Sequence, residues 1–156
     1  RDVYKRQQPL LVAAAILLAG CGSGDGAPAG DSIEIENGVV GETPAGADAA
    51  VYLDIVGGDG DALVGASSTL AEATSLHTIE QVEGGGVMYP TDRIELEGDV
   101  TTLAPIDKHV MLEGLRVELV EGDTLTVMLE FDDHVDVEVD VVVVPLADLA
   151  ELLPDE

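Results

Sequence analysis

Two side chains with metal-binding chemistry, His109 and Met111, are separated by a single valine. In a β-strand, residues two apart project from the same face, so the imidazole and the thioether would lie side by side. If Val110 and Leu112 face the core, His109 and Met111 point outward at its rim. A thioether beside an imidazole suits Cu(I) and is a poor ligand set for magnesium or calcium. The pair alone does not separate a metal half-site from an incidental arrangement.

A second histidine and a second methionine precede this pair. His77 ends a short run that begins at residue 73, and Met88 follows a glycine turn at 84–86. The chain between them can fold back and bring both side chains toward one end of a sheet. Two of the 3 histidines and two of the 3 methionines then form one pattern, in which His77 and Met88 precede the His-x-Met pair. The register that would bring them together does not follow from the spacing.

The elements that would position these residues are β-strands. Apolar residues alternate with other residues in six runs: Ile33 and Ile35; Val51, Leu53 and Ile55; Ile94 and Leu96; Leu115, Val117 and Leu119; Leu125, Val127, Leu129 and Phe131; and Val135, Val137, Val139 and Val141. Glycine- and aspartate-rich turn signals divide the runs, at 57–60, 84–86, 97–99, 121–123 and 132–133. This pattern predicts an all-β, antiparallel sandwich or barrel. After Pro145, leucines and alanine recur at helical spacing, which predicts a short C-terminal helix packed on a sheet face.

Composition and charge exclude several classes of function. A chain of 156 residues allows one domain with a short extension. Its 32 acidic residues against 6 basic ones give a net charge of −26, so it lacks the basic surface that binds nucleic acid. A single cysteine cannot form a disulfide framework or a multi-thiolate metal site. No nucleophile–base pair or phosphate-binding loop is apparent, and we expect no catalysis.

The first twenty residues have the pattern of a secretory signal. Three basic residues among the first six precede an apolar run over 9–19 that is too short to span a membrane. The next residues, Leu18-Ala19-Gly20-Cys21, resemble the lipobox of bacterial lipoproteins, in which the cysteine is lipidated; the alternative is an ordinary cleavage site with an incidental cysteine. We therefore expect a signal peptide at 1–20, lipidated Cys21 and a flexible linker at 21–31, a β domain at 32–144 and an acidic tail with a short helix at 145–156.

The motif and its surroundings together resemble the periplasmic copper chaperones called PCu(A)C. That family has the same order of His, Met and His-x-Met, with a gap before His-x-Met one residue longer than the twenty found here. The flanking segments agree as well: Leu76-His77, Gly86-Val87-Met88-Tyr89-Pro90, Ile94-Glu95-Leu96, His109-Val110-Met111-Leu112 and Gly114-Leu115. The likeness runs from about Ile33 to Val144.

The resemblance implies a cupredoxin-like β-sandwich or barrel that binds one Cu(I) through His77, Met88, His109 and Met111. It implies delivery to a copper-accepting protein, either a cytochrome c oxidase subunit or another copper chaperone. We expect a monomer, held at the membrane only by its lipid anchor, in the periplasm or on the outer face of the cytoplasmic membrane. Two alternatives stay open. One is a metal-free envelope β-sandwich with a structural or interaction role, and the other is a lipoprotein that stores or detoxifies copper without transferring it.

Other polar residues receive structural interpretations. His134 lies in an acidic turn, where we expect it to be exposed. Asp59 and Asp61 indicate calcium only weakly, because the twelve-residue calcium loop with its terminal glutamate is absent. Met128 falls among polar residues of its strand and is expected to pack rather than bind metal.

Overall fold

A computed structural model describes residues 32–152. The expected signal peptide, Cys21 and the linker lie outside these residues, as do the last four residues of the tail. The described strands are β1 (Glu34–Gly41), β2 (Ala49–Val56), β3 (Ala62–Ser67), β4 (Ala71–Val82), β5 (Gly85–Thr91), β6 (Ile94–Glu95), β7 (Val100–Leu103), β8 (His109–Leu115), β9 (Thr124–Phe131) and β10 (Val137–Val144). A short helix, α1 (Leu146–Leu149), follows them and continues as one 3-10 turn over Ala150–Leu152. No helix in the described part is long and apolar enough to cross a membrane.

The strands form one continuous sheet in the order β5-β4-β8-β2-β1-β10-β9-β3-β6, with β7 pairing with β2 outside this path. The pairing of β1 with β10 is parallel, whereas the other described strand pairs are antiparallel. Strands that are not neighbours in this order also contact each other: the Thr74 hydroxyl of β4 donates a hydrogen bond to the Ala66 carbonyl of β3. The predicted all-β, mainly antiparallel architecture is confirmed.

The core lies between the inward faces of the curled sheet. Along β2 every second residue is buried, and β9 shows the same alternation. Each leucine or valine side chain taken fully out of water stabilises the fold by about 1.5–3 kcal/mol. The largest fully buried side chains are Leu53, Ile55, Leu63, Ile94, Leu96, Leu103, Leu112, Leu129, Val40, Val51, Val110 and Val127.

One predicted strand is wrong. The apolar alternation through Leu115, Val117 and Leu119 predicted a continuous strand, but β8 ends at Leu115 and Val117 is exposed. The chain turns away because the N–H groups of Leu115 and Arg116 donate to carbonyls of connecting loops, those of Ala47 and Leu70. Leu119 then reaches the core separately, through an isolated bridge to Thr43.

The predicted C-terminal helix is present and packs on the end of β1. It begins directly after Pro145, where the proline ring is compatible with a helix start. A Cβ atom at Gly41 would lie 2.6 Å from Leu146 Cδ2 and 2.8 Å from Leu149 Cδ1. Glycine at this position therefore allows the helix to lie close against the sheet.

Candidate metal centre

The pairing of β4 with β8 sets the two candidate histidines directly opposite each other. His77 is the register partner of His109, and Ser75 is the partner of Met111. Because residues two apart share a face, His77, His109 and Met111 all project from the same side of the sheet. The ring centres of the two histidines are 5.4 Å apart, with the ring planes inclined at 43°.

The β4–β5 hairpin adds Met88 to this face. Its two-residue turn has Gly84 at a φ of 98°, a conformation that glycine adopts without strain. In the resulting register Met88 pairs with Ile79, which is two residues from His77. Met88 and His77 are therefore diagonal neighbours, at a separation of about 7–8 Å that long side chains can span. Met88 and Met111 flank the histidine pair from opposite directions along the strands.

The four residues differ strongly in exposure. Met88, on the edge strand β5, is 47% exposed, while His77 and Met111 are half-buried. Val110 and Leu112 are fully buried, so the condition set in the sequence analysis, that they face the core, is met. His109 lies on the opposite face from them, as expected, but it is not exposed at a rim, since only 3% of this residue is accessible.

Tyr52 covers the buried histidine and was missed by sequence reasoning. It comes from β2, and its ring centre lies 6.2 Å from that of His109 in an edge-to-face arrangement. Burial raises the pKa of the Tyr52 hydroxyl. The sequence pattern that could have identified Tyr52 is its position between Val51 and Leu53, which are buried. This position places Tyr52 on the face of β2 opposite the core.

Three ring nitrogens at the centre of this face are buried and have no hydrogen-bond partner. They are Nδ1 and Nε2 of His109 and Nδ1 of His77. Leaving a buried polar atom unsatisfied costs about 1–3 kcal/mol, so such atoms are rare in folded proteins. A neutral imidazole carries one N–H and one lone pair, so these two adjacent rings can together offer two nitrogen lone pairs to one bound ion.

The geometry of the rings fits one shared metal ion. With metal–nitrogen bonds of about 2.0 Å, two imidazoles bound to one ion at a tetrahedral angle would have ring centres about 5 Å apart. The observed separation of 5.4 Å is compatible with this arrangement. Two imidazoles with two neighbouring thioethers form a soft, uncharged ligand set.

The electrostatics of the site favour the neutral form of His109. Burial lowers the pKa of its imidazole, and the neighbouring His77 lowers it further. The backbone of Asp107 lies near the ring and works in the opposite direction, but no hydrogen bond of normal geometry reaches either ring nitrogen. Neutral imidazole is the form that binds metal ions.

The third histidine, His134, has a structural environment, and the expectation that it is exposed is corrected. His134 is not exposed but half-buried, and its Nδ1 donates to Asp61 Oδ2 at 2.7 Å. Asp61 is 3% exposed and also accepts backbone N–H groups from Ala62, Asp133 and His134. Burial would raise the pKa of Asp61, but these hydrogen bonds lower it to about 2. Asp61 therefore organises the β9–β10 turn, even though its carboxylate lies near those of Asp132 and Asp133.

Sequence comparison identifies the family. Residues 33–143, most of the described chain, match the family described as "Putative lipoprotein LpqE-like". The chain belongs to the LpqE-like family. No curated protein sequence matches this LpqE-like chain significantly.

Solved structures share the fold of this LpqE-like protein. A copper-bound PCuAC domain from PmoF2 superposes with a TM-score of 0.60 at 23% identity, over 72% of this chain and 92% of that one. An apo PCuAC domain from PmoF1 gives a TM-score of 0.59 at 20% identity, over 72% and 93%. The solution structure of CuI-DR1885 from Deinococcus radiodurans gives 0.53 at 27% identity, over 78% and 82%. The resemblance to PCu(A)C domains noted from the sequence is confirmed.

Proposed function

We propose that this protein is an extracytoplasmic copper chaperone that binds one Cu(I) through His77, Met88, His109 and Met111. The observation that carries the proposal is the cluster of three buried, unpartnered imidazole nitrogens between two methionines on one face of the sheet. The bound ion is cargo, and the protein acts by ligand exchange rather than by catalysis.

The chemistry of the donors supports Cu(I) over other ions. Thioether sulfur is a soft ligand that favours Cu(I), whereas magnesium and calcium prefer oxygen. Both imidazoles must be neutral to bind, and the lowered pKa of His109 favours this form. Four uncharged donors suit a monovalent ion, because little charge has to be neutralised inside a half-buried site.

The solved relatives support the same ion. One of them is described as copper-bound and another as a CuI form, and both share the fold described above. We extend copper binding to the present chain because its own face carries donors of the required type. Delivery to an acceptor, either a cytochrome c oxidase copper centre or another copper chaperone, is part of the proposal.

The unequal exposure of the donors suggests how transfer proceeds. Met88 lies on an edge strand and is 47% exposed, whereas His109 is buried under Tyr52. An incoming ligand from an acceptor can reach the Met88 side first and displace its thioether. His109 would be the last donor to leave. We further propose that Cys21 carries the lipid anchor, so that the β domain at 32–144 works at the membrane surface outside the cytoplasm.

An anaerobic Cu(I) titration against a competing chelator tests the proposal. The protein for this test is the chain from Gly22 onward, which contains every described strand and the whole described core. We expect one equivalent to bind tightly and to be lost in the double variant His109→Ala, Met111→Ala. Met88→Leu should weaken binding, and Met128→Leu, which changes a methionine on β9, is the matched control.

The outcomes separate the proposal from its alternatives. A parent protein that fails to compete for Cu(I) would indicate a metal-free interaction module and would overturn the proposal. Tight binding without transfer to any copper-accepting domain would instead indicate storage. Mass spectrometry of the mature N-terminus tests lipidation of Cys21 separately.

A further inference from the structure

A hydroxyl group links one of the candidate ligands to a carboxylate. Ser75 Oγ lies 2.9 Å from His77 Nε2 and 2.9 Å from Glu113 Oε1. The strand register explains this contact. Ser75 is two residues from His77 on β4, and Glu113 is two residues from Met111 on β8. All four side chains therefore project from one face of the sheet, the face that also carries His109. Glu113 pairs with Ala73, whose small side chain leaves room for the carboxylate to reach Ser75.

Counting protons assigns a direction to this chain of hydrogen bonds. A carboxylate only accepts hydrogen bonds, and a serine hydroxyl has one proton to donate. Ser75 therefore donates to Glu113 Oε1 and must accept from the His77 ring. It follows that His77 Nε2 carries the ring proton and donates it to Ser75. In a neutral imidazole the other nitrogen, Nδ1, then holds a free lone pair.

An independent observation agrees with this assignment. Nδ1 of His77 is the ring nitrogen that is buried without a hydrogen-bond partner. The nitrogen left free by the Ser75 contact is thus the one that is buried and available to a bound ion. His109 differs, because neither of its nitrogens has a hydrogen bond of normal geometry, although the Asp107 backbone lies near the ring.

We propose that Ser75 and Glu113 are positioning residues that hold His77 in the Nε2–H tautomer and so make Nδ1 the atom that binds copper. This inference rests on the proposed function. Metal-bound histidines commonly donate their other nitrogen to a carboxylate or another acceptor, and losing that partner typically weakens metal binding about 10–100-fold. Here the carboxylate acts through a serine, which gives each of the two residues a distinct and testable effect.

The decisive variant is Glu113→Ala. Without the carboxylate, the Ser75 hydroxyl is free to donate its proton to His77 Nε2. This favours the opposite tautomer, with hydrogen on Nδ1, and blocks the atom assigned to copper. Ser75→Ala removes the acceptor for Nε2–H altogether, whereas Ser75→Thr keeps a hydroxyl and should restore the parent behaviour. Glu80→Ala is the matched control, because it removes an exposed carboxylate from the opposite face of β4.

Long-range 1H–15N correlation NMR of the copper-free chain from Gly22 onward reads the tautomer directly. Spectra are recorded at about pH 8.5, because a tautomer is defined only for neutral imidazole and the reference value for a model histidine is about 6.5. We expect Nε2–H in the parent, in Ser75→Thr and in Glu80→Ala, and a shift toward Nδ1–H in Glu113→Ala. Cu(I) affinity, measured by chelator competition, should fall about 10-fold or more in Glu113→Ala and Ser75→Ala.

The two readouts distinguish the failure of each proposal. If Cu(I) binds tightly but Glu113→Ala keeps both the parent tautomer and the parent affinity, the positioning role is overturned and the copper site stands. If the parent chain shows Nδ1–H on His77, the assignment of Nδ1 as the ligand is overturned. If the tautomers behave as expected but the parent binds no Cu(I), the proposed function fails, and with it the role of this pair in holding a metal.

Discussion

Asp61→Asn is expected to destabilise the β domain by about 2–4 kcal/mol. Asp61 Oδ1 accepts the N–H groups of Ala62 and Asp133, and Oδ2 accepts the N–H and the Nδ1–H of His134. An asparagine side chain offers one oxygen and one NH2 group. With the NH2 group toward Ala62 and Asp133, two donors would face another donor. With it toward His134, the ring can change tautomer and accept at Nδ1, so the His134 N–H is left facing a donor while the other hydrogen bonds lose their charged acceptor. Each donor left unsatisfied costs about 1–3 kcal/mol, and local adjustment of the turn keeps the sum in the lower part of the range.

Thermal and urea unfolding followed by far-UV circular dichroism measures this loss. At about 3 °C for each kcal/mol in a domain of this size, Tm should fall by about 6–12 °C. Asp133→Asn is the control, because its exposed side chain should contribute less than about 0.5 kcal/mol. Equal stability of Asp61→Asn and Asp133→Asn would refute the reasoning, since the turn would then not depend on the carboxylate.

The same carboxylate predicts an acid-dependent loss of stability. The pKa of Asp61 is lowered from 3.8 to about 2 in the folded chain, so its ionised form stabilises the fold above pH 3.8. This stabilisation is lost as the pH falls from 3.8 toward 2. The stabilisation from the ionised Asp61 amounts to about 2 kcal/mol at most. Solvent screening near the neighbouring exposed acids reduces this figure. The parent should lose this increment over that interval, and Asp61→Asn should not.

Three further predictions address the site, the backbone and the core. Because burial and His77 lower the pKa of His109, its ring should titrate below 6.5 in an NMR pH titration, and a midpoint at or above this value would contradict the electrostatic description. Ile106 is exposed and has a φ of 64°, a backbone conformation that is unfavourable for a β-branched residue. Ile106→Asn should therefore raise the free energy of unfolding, measured in urea, by roughly 1 kcal/mol. A lower free energy of unfolding in this variant would contradict backbone strain at Ile106. Leu129 is fully buried, so Leu129→Ala should lower the free energy of unfolding by about 2–5 kcal/mol. Val142 is exposed, so the control Val142→Ala should change it by less than about 0.5 kcal/mol. Similar losses in the two variants would contradict the assigned core.

The strands that line the core were predictable where strong apolar residues alternate. The pattern through Val51, Leu53 and Ile55 predicted β2, and all three residues are buried. The strands β3 and β5 gave weaker signals, because small residues, glycines and exposed side chains interrupt their alternation. The pattern through Val117 failed for another reason: loop carbonyls, distant in sequence, accept the N–H groups that would have continued the strand.

Parts of the candidate site lay beyond sequence reasoning. The spacing of His109 and Met111 predicted a shared face, because side chains in a strand alternate with period two. The burial of His109 did not follow from this rule, since it depends on Tyr52 packing against the ring from a separate strand. The contact between Ser75 and Glu113 likewise joins residues 38 positions apart.

The sequence by itself determined the kinds of donor, their order along the chain and the β periodicity, because these properties are local. The tertiary structure alone decided that His77 lies opposite His109, that Met88 reaches the same face, and which ring nitrogens remain unpartnered. Register between strands depends on how the whole core packs, and a shift of one residue would turn each side chain to the other face. The site is therefore encoded in the sequence but assembled only by the fold.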